Sequence, residues 1–154
     1  MGVGRASAGV AVLLVMGSCG LSAAAAGAEP LSSLEQAVVA ARGTSSCGPL
    51  RSDPRLARAA DIVNRSTMSY VNHTAENVPA DQLHPTAVVK DVGVSGSKVI
   101  SLAGASHEYG DSVRGVLVEG RDVIPDCSYT DFGSSVIDDG QSGYVFTVVI
   151  LVGP

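Results

Sequence analysis

The sequence predicts an α+β domain in which helices pack against a central, mostly antiparallel sheet. Residues 144–152 are β-branched, aromatic or leucine throughout, and an acidic, glycine-containing loop at 138–143 precedes them. This pattern favours a hairpin that ends in a buried central strand. Residues 54–71 have the apolar spacing of an amphipathic helix. The predicted elements follow the order helix, helix, strand, helix, strand, strand, which suits one mixed domain.

The length and charge of the chain limit the functions that it can have. A chain of 154 residues fits one domain of ordinary size. It has ten basic and fifteen acidic residues, and a formal net charge of −5. An acidic domain without a cluster of lysine and arginine is a poor candidate for binding nucleic acid. We therefore expect no nucleic-acid partner.

The first 28 residues have the pattern of an export signal. Arg5 precedes an apolar run at 8–16, which is too short to span a membrane comfortably. Small residues before Glu29 suit cleavage after Ala28. We therefore predict a signal peptide at 1–28, an exported domain at 29–154, and a location in the secreted fraction or the cell envelope.

A lipoprotein signal at 1–18 is the alternative. Residues 16–19 (MGSC) resemble a bacterial lipobox, although methionine stands where leucine is usual. In that case Cys19 would carry the lipid and become the new N-terminus. Contact with a membrane is expected only through this anchor.

The cysteines predict one disulfide. The chain has three, Cys19, Cys47 and Cys127. Cleavage after Ala28 removes Cys19 and lipidation consumes it, so either process leaves Cys47 and Cys127 as a pair in an oxidising compartment. A bridge between them would close a loop of about 80 residues and contribute about 3 to 4 kcal/mol. Two buried free thiols are the alternative.

Two helices are predicted in the first half of the chain. The first covers 31–42 and stops at Gly43. The second begins at Asp53 and Pro54, because the carboxylate accepts free N–H groups and proline at the first helical position loses no hydrogen bond. Its expected buried stripe is Leu56, Ala59, Ala60, Val63, Thr67 and Tyr70.

The second half is predicted to hold most of the sheet. Residues 72–85 form a loop, with a short helical turn near Asp81 or after Pro85. Strands are expected at 87–92 and 97–102. A helix at 109–119 then ends at Gly120.

Two motifs resemble the CAP superfamily, the cysteine-rich secretory, antigen-five and pathogenesis-related proteins. Residues 47–56 (CGPLRSDPRL), with Ala59 and Ala60 after them, resemble the start of that family's long second helix. Residues 113–115 (VRG) and 124–133 (IPDCSYTDFG) resemble its late helix and the strand that follows. The likeness is to the compact form in exported actinobacterial proteins. It implies a three-layer α/β/α sandwich.

The same resemblance implies a cleft lined by histidine and glutamate side chains. Active-looking members of the family hold a divalent metal with two histidines and two glutamates. His73 and Glu76 resemble the first pair, although they lie closer together than in the family. No histidine follows His107, and residues 116–123 replace the family's Ser-Pro-Gly-His-Arg run. His107 and Glu108 would have to complete a remnant cleft from another loop, so we expect no bound metal.

Other catalytic patterns are weak. Residues 93–96 (GVSG) resemble a Gly-x-Ser-x-Gly elbow only loosely, and they lie in a turn. Cys47 and Cys127 are expected to be paired and therefore not nucleophilic. No glycine-rich phosphate loop is present, and we expect no cofactor.

The sequence therefore predicts a non-catalytic CAP-like binding module that has lost the metal tetrad. Its partner would be an apolar small molecule or an envelope protein. One alternative is a divergent metal-dependent hydrolase using His73, Glu76, His107 and Glu108. Another is a structural envelope lipoprotein anchored through Cys19.

Overall fold

The computed structural model describes residues 1–2, 32–78, 80–81 and 83–154. The signal-peptide cleavage sites and Cys19 lie outside these residues. None of the described helices is long and apolar enough to cross a membrane. The elements in chain order are α1 (Ser33–Gly43), β1 (Arg51–Ser52), α2 (Pro54–Val71), α3 (Thr86–Asp91), β2 (Lys98–Ser106), α4 (Tyr109–Glu119), β3 (Asp131–Asp139) and β4 (Tyr144–Gly153).

The four strands form one sheet in the order β1-β3-β4-β2. Only the two-residue strand β1 runs parallel to its neighbour, β3. Strand β4 pairs antiparallel with β3 on one side and with β2 on the other, so that Leu151 faces Phe132 and Val149 faces Leu102. The predicted hairpin and its central strand are confirmed.

Helices cover both faces of this sheet, which gives three layers. Alternate side chains of a strand point to opposite faces, and β4 is apolar on both. Val149 and Leu151 pack with α1 and α4, for example against Leu34 and Val116. Val148, Ile150 and Val152 pack with α2 and α3. The fold class is a mixed α+β sandwich, as predicted.

Local sequence signals set the starts of the helices. Asp53 caps α2 by accepting from the N–H of Arg55 at 2.8 Å, with Pro54 at the first helical position. Ser32 and Glu35 form a capping box at α1. The predicted helices at 54–71 and 109–119 are confirmed at both ends.

Two glycines let helices approach the sheet closely. A Cβ on Gly133 of β3 would lie 2.1 Å from the backbone nitrogen of Ala57 in α2. A Cβ on Gly104 of β2 would lie 1.9 Å from the carbonyl oxygen of Ser112 in α4. The backbones of sheet and helix are therefore in direct contact at both places.

A disulfide and a buried arginine tie the same two loops together. Cys47 and Cys127 are bonded, which confirms the predicted pair. Arg42, 3% exposed, donates to the carbonyl oxygens of Gly48, Ile124, Asp126 and Tyr129 at 2.7 to 2.9 Å. Its position at the end of α1 also suits a cation, because helix C-termini carry partial negative charge.

Two predictions of local structure were wrong. Residues 87–91 lie in α3 and not in a strand, and Val92 is the C-cap of that helix. The carbonyl oxygen of Pro85 accepts from the N–H of Val89, and the adjacent Val88 and Val89 both pack towards α2. The helix ends before Gly93, whose φ of 79° suits glycine. Tyr70 is 46% exposed, so the buried stripe of α2 ends earlier than expected.

Candidate functional site

The four residues of the predicted remnant cleft lie in two connections. His73 follows α2 in a left-handed conformation, with φ of 56°, and both it and Glu76 are exposed. His107 and Glu108 lie between β2 and α4 and are also exposed. Among the described residues, no three or more histidine, cysteine, aspartate or glutamate side chains are grouped so that they could hold a metal ion.

Both connections contact the turn between β3 and β4. The side-chain amide of Asn72, next to His73, donates to Asp139 at 2.8 Å. In the other connection, Nδ1 of His107 lies 2.9 Å from the carbonyl oxygen of Gly143, and the His107 ring centroid is 4.1 Å from that of Tyr144. The structure therefore brings the two segments to one end of the sheet, where Asp139 and Tyr144 pair across β3 and β4.

Asp139 accepts several hydrogen bonds at this turn. Its carboxylate accepts from the hydroxyl of Ser142 at 2.5 Å, from Asn72, and from the backbone N–H groups of Gln141 and Ser142. These hydrogen bonds, led by that of the Ser142 hydroxyl, lower the pKa of Asp139 to about 2. The carboxylate thus acts as a structural acceptor.

A cleft of about 230 Å³ lies between α2 and the sheet. We call it the α2 cleft. Phe146 and Val148 of β4 and Ala103 and Ala105 of β2 contribute apolar surface, and α2 contributes Asn64 and Thr67. All the described residues that line it are uncharged.

Asn64 is buried at the edge of this cleft, with 1% exposure. Its side-chain nitrogen donates to the carbonyl oxygen of Ser135 at 3.3 Å, to the Ser135 hydroxyl at 3.2 Å and to the carbonyl oxygen of Phe146 at 3.1 Å. Its side-chain oxygen is also buried and accepts no hydrogen bond from any of the described residues. An unsatisfied buried acceptor costs about 1 to 3 kcal/mol.

A second cavity, of about 280 Å³, lies at the opposite end of the sheet. Its two arginines are already paired, Arg51 with Asp131 at 2.9 Å and Arg55 with Asp53 at 2.6 Å. The hydrogen bond from Arg55 lowers the pKa of Asp53. Because each cation has a carboxylate partner, this cavity has no charge left over for an anionic ligand, and the α2 cleft is the better candidate site.

Sequence patterns did not identify Asn64 or Arg42. Asn64 adjoins the predicted stripe of α2, and Arg42 closes the first predicted helix, but neither position reveals that a polar side chain is buried there. A polar residue beside an amphipathic stripe is the only available signal, and it does not separate a buried amide from an exposed one.

Comparison with solved structures identifies the class of fold. A cysteine-rich secretory protein from Staphylococcus aureus superposes with a TM-score of 0.58 at 16% identity, over 79% of this chain and 38% of that chain. An outer surface protein from Borrelia burgdorferi gives a TM-score of 0.60 at 14% identity, over 78% of this chain and 89% of that one. No protein-family profile and no curated protein sequence matches the chain.

At these identities the likeness shows the fold alone. The chain has a CAP-like fold, a four-stranded sheet with helices on both faces, as expected from residues 47–56 and 124–133. This chain spans 38% of the staphylococcal chain, so it corresponds to one part of that protein.

Proposed function

We propose that this chain is an exported CAP-like binding module without catalytic activity, which holds a small apolar molecule in the α2 cleft. The observation that carries the proposal is the cleft itself. It joins apolar surface from β2 and β4 to one buried polar side chain, Asn64. Small-molecule sites combine these two features, a mainly apolar lining and a few placed polar groups.

The placement of the histidines supports the absence of catalysis. His107 contacts Gly143 and Tyr144 at the β3–β4 turn, whereas His73 follows α2, and both side chains are exposed. A metal-dependent hydrolase needs ligands that converge on one ion with an open position for water. The exposed side chains of His73, Glu76, His107 and Glu108 occupy two separate connections, which favours a binding role.

The disulfide and the signal-like leader support export. Structural disulfides persist in oxidising compartments outside the cytoplasm. The bond between Cys47 and Cys127 is therefore suited to a secreted or envelope protein. Lipidation at Cys19 would place the same binding domain on a membrane surface without changing its cleft.

Recovery of a bound molecule tests the proposal. The protein is purified from culture fluid and from the envelope fraction, and native mass spectrometry is combined with organic extraction. We expect a small organic molecule to accompany the wild type and to be absent from Ala105→Phe, whose ring fills the cleft. Ala40→Phe, at an exposed alanine of α1, is the matched control and keeps the molecule.

Two results would contradict the proposal. Equal recovery from Ala105→Phe and Ala40→Phe would place the molecule elsewhere. A stoichiometric divalent metal that is lost from His73→Ala and His107→Ala variants would favour the hydrolase instead.

A further inference from the structure

The turn between β3 and β4 contains a peptide bond that is chemically labile in an unfolded chain. Among the aspartates and asparagines of the sequence, only Asp139 is followed by glycine. Aspartyl–glycyl bonds isomerise readily, because glycine has no side chain to hinder attack by its nitrogen and leaves the backbone flexible. Gly140 is exposed, so burial does not protect this bond.

The reaction is an attack within the chain. The main-chain nitrogen of Gly140 bonds to Cγ of Asp139, and the proton of that nitrogen leaves with the carboxyl hydroxyl as water. The succinimide that results takes up water at either of its carbonyl carbons. Addition at Cγ restores aspartate. Addition at the main-chain carbonyl carbon of Asp139 breaks its bond to the Gly140 nitrogen and leaves isoaspartate, in which the chain continues through Cγ.

The fold fixes the peptide group that would react. Asp139 is the last residue of β3 and pairs with Tyr144, so its backbone is extended. Its main-chain carbonyl oxygen accepts from the N–H of Gly143 at 2.8 Å, which holds the plane of the Asp139–Gly140 peptide. Ring closure requires this plane to rotate about the Cα–C bond of Asp139 until the nitrogen faces Cγ. The rotation breaks the hydrogen bond from Gly143 and the last pairing of the strand.

The carboxylate of Asp139 is fixed as well. Oδ2 accepts from Asn72 and from both the hydroxyl and the N–H of Ser142, and Oδ1 accepts from the N–H of Gln141. Attack requires the carboxyl group to turn its face to the Gly140 nitrogen, which these four hydrogen bonds oppose. They also lower the pKa of Asp139 to about 2. The group is therefore ionised at neutral pH, and a carboxylate is a much poorer electrophile than the neutral acid.

We propose that Asp139 is a site of isoaspartate formation that the native turn suppresses, and that Asn72 and Ser142 are the residues whose side chains suppress it. Isoaspartate lengthens the main chain of the turn by one carbon and moves the carboxylate away from its donors. Because Asn72 directly follows α2, the modification also removes a contact between the end of that helix and the sheet.

Incubation of the full chain at neutral pH tests the proposal. Isoaspartate leaves the mass unchanged, so it is measured by peptide mapping with electron-transfer fragmentation. We expect the native wild type to form it at least about tenfold more slowly than the wild type unfolded in urea. Asn72→Ala and Ser142→Ala should each raise the native rate about fivefold, the equivalent of one hydrogen bond.

Gly140→Ala, added to Ser142→Ala, is the matched control. Gly140 does not adopt a positive φ, and a Cβ there has nothing within 4 Å, so alanine fits without strain while its methyl group hinders the attack. Isoaspartate should then return to the wild-type level or below.

Two results would overturn the proposal. Equal rates in the native and the unfolded wild type would show that the turn gives no protection, and this comparison does not depend on whether a variant folds. Wild-type rates in folded Asn72→Ala and Ser142→Ala would refute the roles of these two side chains.

Discussion

Asp139 gives the β3–β4 turn a dependence on pH. Because its pKa in the folded protein is about 2, below the ordinary 3.8, the folded state favours the ionised carboxylate. Its contribution to stability is present above the unfolded pKa and is lost as the pH falls from about 4 towards 2. We expect Asp139→Asn to be less stable than the wild type at pH 6, with the difference shrinking towards pH 2. Urea unfolding across this range measures the effect.

Asp138→Asn is the control, because Asp138 is the exposed neighbour on the same strand. Its difference from the wild type should be small and should change less with pH. A constant difference for Asp139→Asn between pH 6 and pH 2 would show that its hydrogen bonds do not depend on its charge.

Arg42 organises the loops beside the disulfide, and its loss should be costly. Arg42→Met removes hydrogen bonds to four carbonyl oxygens, two of them in buried contacts, and leaves those oxygens short of donors. We expect a loss of about 3 kcal/mol or more in the free energy of unfolding, measured by chemical denaturation. Arg58→Met, at an exposed position of α2, should change stability by about 0.5 kcal/mol at most. Equal losses in the two variants would refute this role for Arg42.

At the residue scale, the sequence predicted the disulfide but not the burial of Asn64 and Arg42. Counting the cysteines was enough to pair Cys47 with Cys127. Burial of Asn64 and Arg42 depends on which carbonyls the rest of the fold brings next to them, and all of these except that of Gly48 lie 71 to 87 residues away in the chain. Periodicity within a helix contains no information about such distant partners.

At the scale of elements, Gly133 determines how α2 sits on β3. In Gly133→Ala the new Cβ meets the backbone of Leu56 and Ala57, which cannot rotate away as a flexible side chain would. We expect a loss of about 3 kcal/mol from forced separation of helix and strand. Thermal and chemical denaturation measure it.

Gly110→Ala is the matched control. Gly110 lies in α4, and a Cβ there has nothing within 4 Å. Since alanine favours helix over glycine, this variant should be as stable as the wild type or more stable by up to about 1 kcal/mol. A loss at Gly110 equal to that at Gly133 would mean that close packing is not the cause.

Helices were predictable where capping and terminating residues alone determine their ends. Asp53 and Pro54 start α2, and Gly120 ends α4, whatever the rest of the fold does. Helix α3 was mistaken for a strand, because Val88 and Val89 have high β-propensity. Packing towards α2 outweighs that propensity in a segment of six residues.

For the whole molecule, the disulfide limits the freedom of the unfolded chain. The bridge joins residues 80 positions apart, so Cys47→Ala with Cys127→Ala should lower stability by about 4 kcal/mol. Denaturation with and without a reducing agent measures this contribution. The wild type under reducing conditions should match the double variant, whereas the double variant should not respond to the reductant.

The topology followed from the sequence only in part. The β3–β4 hairpin was predicted because both strands and their turn are neighbours in the chain. The parallel pairing of the two-residue strand β1 with β3 joins segments 80 residues apart, and two residues give no detectable periodicity. The three-layer arrangement was expected from the family resemblance, and the two apolar faces of β4 explain it.

Strand β4 makes the chain prone to aggregate before folding is complete. Its ten residues are uncharged and almost all β-branched, aromatic or leucine, a composition that promotes intermolecular cross-β aggregation in unfolded chains. In the native sheet both of its edges are occupied, by β2 and by β3. Asp138 and Asp139, which precede the turn into β4, act as charged gatekeepers. The rate at which β2 and β3 pair with β4 therefore determines how long a newly made chain remains prone to aggregate.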